Sequence, residues 1–153
     1  MVTAIITGIN RFFFNLDSNV GKGQPNKFDD VEFVRFSYLA MRECNTSNPA
    51  TLNYRLKMGS VLTNVRSTGE FGPDLDEAIR AHQAIRGGTQ DGHISAVPAS
   101  GALTMSYGPN QGWMMIALTN TIYDFMPDVF PRLDREPKCG PRLRESVQKI
   151  FVR

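Results

Sequence analysis

The sequence predicts a mainly α-helical protein carrying one or two short strands. Three observations support this. Apolar residues recur at helical spacing in several stretches. Two glycine-bearing turns, around Gly21 and Gly23 and around Gly69 and Gly72, run directly into such stretches. Prolines and glycines then divide the rest into segments of helix length.

Residues 2–6 are rich in β-formers and suit a short strand. Phe12, Phe13 and Phe14 are together too apolar for water, so they are expected to cover the core or a partner. Asp29 or Asp30 suits the N-cap of a first helix, because a carboxylate can accept the free N–H groups of the first turn. Val31, Val34, Tyr38 and Met41 form its buried stripe. Phe33 and Phe36 lie off that stripe, which predicts a helix sandwiched between two partners. Residues 45–49, closing on Pro49, stop it. Residues 52–65 show mixed periodicity and receive no assignment.

Pro73 fits the first position of a second helix, or the residue before it, since its missing N–H costs nothing there. Leu75, Ala78, Ile79, His82 and either Ile85 or Arg86 face inward, and Gly87-Gly88 supplies the left-handed cap. Asp91-Gly92 marks a tight turn before Ile94 and Val97. A connector follows at residues 96–102. A third long helix is expected near residues 112–126, with Trp113, Ile116, Ala117, Asn120 and Tyr123 at compatible spacing. Pro127, Pro131 and Pro137 break the next segment. Pro141 then opens a last helix with Leu143, Val147, Ile150 and Phe151 inward.

At 153 residues the chain can bury a core without covalent staples. Lys and Arg number 17 against 15 Asp and Glu, without a basic run, so nucleic-acid binding has no electrostatic footprint. Cys44 and Cys139, far apart and without metal-site spacing, read as reduced, partly buried thiols. The N-terminus lacks a basic leader, and no window approaches the roughly 18–20 apolar residues of a membrane span. The expected localisation as synthesised is therefore cytoplasmic, with no membrane span.

No catalytic signature stands out. Two histidines, His82 and His93, lack zinc-hydrolase spacing, and neither a Gly-x-Ser-x-Gly turn nor a phosphate-binding loop occurs, so no metal or cofactor is expected. His82 reads as a buried neutral ring, and His93 as an exposed residue after a turn. Glu70, Asp74, Asp76 and Glu77 cluster at the second helix start, where the macrodipole favours their charged form. That lowers a pKa, the wrong direction for a glycosidase general acid, so the cluster reads as capping.

One resemblance supplies a function. Val20, Gly21, Gly23, Asn26, Asp30 and Val31 stand in the order and spacing of the first-helix signature of the peptidoglycan-binding-like domain. Gly69, Phe71, Gly72, Pro73, Ala78, Ile79 and Gln83 match its second-helix signature, with Asp91-Gly92 following. The chain thus resembles that family over roughly residues 14–97. It departs at His82, where an aromatic residue is usual, and at Ser37 and Tyr38, where the family has an apolar pair. The link at residues 45–68 is longer, and Ile94, Ser95, Ala96 and Val97 replace a second Gly-Pro turn.

The resemblance implies a three-helix bundle within residues 1–101; residues 102–153, outside it, are expected from their own spacing to form a helical extension packed on it. It also implies a non-catalytic protein that binds or targets cell-wall peptidoglycan; with no export signal read in the sequence, delivery to the periplasm or wall is expected by a phage or contact-dependent secretion system. The expected partner is a peptidoglycan fragment or a protein. Arg side chains hold carboxylates and aromatic faces hold sugars, so Asn26, Tyr54, Arg80, Gln83, Arg86 and Trp113 are the candidate ligand contacts. The alternatives are an adaptor that kept the fold without wall binding, and a small peptidoglycan hydrolase.

Overall fold

A computed structural model describes residues 1–6, 12–98 and 114–151. Its elements in chain order are β1 (Thr3–Ile6), β2 (Phe12–Asn15), α1 (Phe28–Glu43), α2 (Pro49–Met58), α3 (Ser60–Thr63), α4 (Pro73–Arg86), α5 (Met114–Phe125) and α6 (Pro141–Phe151), with a 3₁₀ turn at Leu133–Arg135 before α6. The described residues are thus mainly helical. β1 and β2 pair antiparallel, Thr3 opposite Asn15 and Ile6 opposite Phe12.

Helix α1 is the axis of the packing. Val31, Val34, Tyr38 and Met41 are buried, and so are Phe33 and Phe36. Both of its apolar faces are covered, by α5 and α6 and by α3. A single core therefore joins Val34 and Leu75 to Leu118, Ile122, Leu143 and Val147. Phe14 lies fully inside it, against Phe33 and edge-on to Phe12 and Phe130.

The start of α1 corrects the sequence reading. The helix begins at Phe28, so Asp29 and Asp30 fall in its first turn and neither is the N-cap. The Asp30 carboxylate instead accepts the N–H groups of Asp17 and Ser18 at 2.9 and 3.0 Å, and the Ser18 hydroxyl at 3.0 Å. It ties the exit of β2 to the helix.

The residues without an assignment form α2 and α3. Asn48 starts α2, its side-chain oxygen accepting the Ala50 N–H at 3.0 Å with Pro49 first in the helix. Gly59, with φ of 61°, separates the two helices.

The two turns are fixed differently. Asn26 accepts the Gly21 N–H and donates to the Gly21 carbonyl, both at 2.8 Å. Val20 and Ile94 exchange backbone hydrogen bonds at 3.0 and 2.8 Å, which lays the first turn against the Asp91-Gly92 turn. The second turn is strapped by Arg35, only 3 % exposed, which donates to Asp74 at 2.7 Å and to the carbonyls of Arg66, Gly69 and Glu70. Burial opposes charge on Asp74, but the Arg66 N–H and the Arg35 guanidinium outweigh it and hold the carboxyl at about 2.

Helix α5 lies where expected, but its inward face does not. Met115, Leu118, Ile122 and Phe125 point into the core, while Asn120 and Tyr123 are exposed. Reading the phase from Trp113 rotates the stripe away from the more apolar set, and the larger burial of Leu and Ile decides the orientation. Trp113 itself lies outside the described residues. Helix α6 opens at Pro141 and buries Leu143 and Val147, with Ile150 and Phe151 half-buried.

Candidate functional site

The angle between α2, α4 and α5 leaves a groove. Its inner part is a cavity of about 400 Å³ lined by Asn48, Thr51 and Tyr54 from the α2 end, Arg86 from the end of α4, and Asn120, Thr121 and Asp124 from α5. A neighbouring cavity of about 550 Å³ shares Asn48, Asp124 and Phe125 with it and continues toward Cys44, Tyr123, Pro127 and Glu136. The two adjoin at those shared residues, and each is of the size that small ligands occupy.

Helix periodicity explains the convergence. Asn120 and Asp124 are four residues apart on the face of α5 turned from the core, so they line one side. Thr51 and Tyr54 stand three apart on α2. Arg86, in the last turn of α4, brings a cation favoured by the helix C-terminus.

An uncharged layer lies close to Arg86. His82 is fully buried, its Nδ1 shares a 3.0 Å hydrogen bond with the Tyr38 hydroxyl, and its Nε2 has no partner among the described residues. The Tyr54 ring stands edge-on to His82 with centroids 5.5 Å apart. Burial, aided by the charge of Arg86, pushes the His82 pKa down to about 3, so the ring is neutral at physiological pH. Burial likewise raises the Tyr38 and Tyr54 hydroxyls above the ordinary tyrosine value. Arg86 donates to the Met114 sulfur at 3.1 Å but has no carboxylate partner among the described residues. Asp124 has no cationic partner there either, and desolvation raises its pKa.

Of the six sequence-predicted contacts, the structure brings together Tyr54 and Arg86. Gln83 is buried and builds the neighbouring turn, donating to Asp91 and to the His93 carbonyl while accepting the Gly92 N–H. Asn26 is held within its own turn. Arg80 lies on an exposed face, bonded to Asp76 and to the Gln90 carbonyl. Trp113 is outside the described residues. Sequence reasoning missed Asn48, Asn120 and Asp124. The Asn48-Pro49 pair was a legible helix start.

The acidic cluster takes no part in the groove. Asp74 is bound to Arg35, Asp76 to Arg80, and Glu70 and Glu77 are exposed. Both thiols are free. Among the described residues no His, Cys, Asp or Glu grouping could hold a metal ion, and no helix is long and apolar enough to cross a membrane.

No family model, curated protein or solved structure matches this chain.

An aromatic face at Tyr54, amide and hydroxyl groups at Asn48, Thr51, Asn120 and Thr121, and two charges of opposite sign suit non-covalent recognition of a polar, extended ligand.

Proposed function

We propose that this protein is a non-catalytic binder of bacterial cell-wall peptidoglycan, holding a wall fragment in the groove between α2, α4 and α5. The observation that carries the reading is the convergence in one groove of Tyr54 and Arg86, an aromatic face suited to a sugar and a guanidinium suited to a carboxylate. The mutual packing of the Val20-Gly21 and Asp91-Gly92 turns gives the family-like motifs a common structural role and supports the same reading. Half of the groove comes from α5, beyond the family-like stretch, so the C-terminal extension is part of the binding surface.

A groove of this kind makes a handful of hydrogen bonds, and the expected affinity is micromolar to millimolar, about −8 to −4 kcal/mol. The test is co-sedimentation with washed bacterial sacculi, with the supernatant assayed for released muropeptides. Saturable pelleting without release, weakened about tenfold by Arg86→Ala and by Asn120→Ala in folded protein, is the expected result. Failure to pellet overturns wall binding and favours an adaptor. Release of muropeptides replaces the binder with a hydrolase.

A further inference from the structure

The inner cavity carries two charged side chains among its lining residues, Arg86 and Asp124. They are opposite in sign, sit on different helices, and neither has an ion-pair partner among the described residues. Other opposite charges in the fold do meet: Arg35 with Asp74, Arg132 with Asp134, Lys138 with Glu43. Two opposite charges facing one cavity without meeting each other define a pattern that a ligand can complete.

We infer that this cavity recognises a zwitterionic peptide end, Arg86 receiving a carboxylate and Asp124 an ammonium group of the same ligand. A simple anion would satisfy Arg86 and be repelled by Asp124, and a simple cation would meet the reverse. A neutral sugar would leave both charges without a counter-charge. A guanidinium presents paired donors that match a carboxylate, while a carboxylate accepts an ammonium from many directions. Asn120, one turn before Asp124 on α5, and Thr51 on α2 line the same cavity and are the groups for the peptide backbone. This rests on the wall-binding reading only for the choice of peptide, since wall stem peptides carry both groups.

The experiment is calorimetric titration of the full chain with N-acetyl-L-lysyl-D-alanyl-D-alanine, its C-terminal amide, and its Nε-acetylated form. The unmodified peptide is expected to bind at least about tenfold more tightly than either blocked form. Arg86→Gln should abolish the preference over the amide and keep the preference over the Nε-acetyl peptide. Asp124→Asn should do the opposite, and thermal melts of both variants confirm that they are folded. Equal affinity for the three peptides, or preferences unmoved by the substitutions, overturns the inference. If sacculi pellet but no peptide binds, zwitterion recognition falls and wall binding stands. If the peptides bind with the expected preferences but sacculi do not pellet, wall binding falls and zwitterion recognition stands.

Discussion

Arg35 shows how much one side chain holds in this fold. Its guanidinium satisfies Asp74 and three backbone carbonyls at once, fixing the turn that launches α4. Arg35→Ala leaves the Asp74 carboxylate to its Arg66 donors and strips a buried cation from those carbonyls, and should cost roughly 3 kcal/mol. Urea unfolding measures this, and a loss below roughly 1 kcal/mol would refute the strap. His82 makes a prediction in pH. Its folded pKa of about 3 lies below the ordinary 6.5, so between these values the unfolded chain binds the extra proton. Stability from this residue is complete above pH 6.5 and is lost as pH falls toward 3, by up to about 1.4 kcal/mol per pH unit. Melts between pH 6.5 and 5, above most carboxylate titrations, should decline in the wild type and flatten in His82→Leu. Parallel slopes would exclude the mechanism.

At the scale of elements, the helices with strong local signals were legible and the ones set by tertiary choice were not. Pro73 and Gly87 bracket α4 as read, because a proline start and a left-handed glycine end are encoded within a few residues. α2 escaped because its stripe is weak; only Thr51 and Met58 are buried along it. The α5 face was misread because which side meets α1 depends on α1, far away in sequence. That same error hid Asp124 and Asn120, so the groove was half visible: Tyr54 and Arg86 by residue type, the α5 wall not at all. The junction of the two turns can be tested directly. Gly21 has φ of +150°, and a Cβ there would lie 2.6 Å from His93 Cδ2 and 2.7 Å from the Gly92 carbonyl oxygen. Gly21→Ala should therefore destabilise by roughly 1–3 kcal/mol in urea unfolding. A neutral effect would mean that the two turns need not touch.

For the whole molecule, the core decides how the chain behaves as a unit. The sequence suggested a bundle over residues 1–101 with a helical extension packed on it, and Val31 and Val34 share their cluster with Leu118, Ile122 and Leu143. α1 is in contact with both α5 and α6, and α6 also reaches β1. Native-state hydrogen exchange should then give α1, α5 and α6 amides a common opening free energy. Much earlier exchange in α5 and α6 would make the extension an independent unit. Binding follows the same logic, because a groove walled by α2, α4 and α5 exists only while α5 is docked.

The two thiols offer a way to watch that groove fill. Cys139 is buried, and burial pushes its thiol up to about 12, which leaves almost no thiolate to react. Cys44 is half-buried, its pKa raised by burial and by Glu136, and it lines the outer cavity beside Tyr123. A maleimide fluorophore at mildly alkaline pH should thus attach at one position without mutagenesis. That position lines the cavity next to the one that holds Arg86, so a dye there reports a ligand that reaches into both.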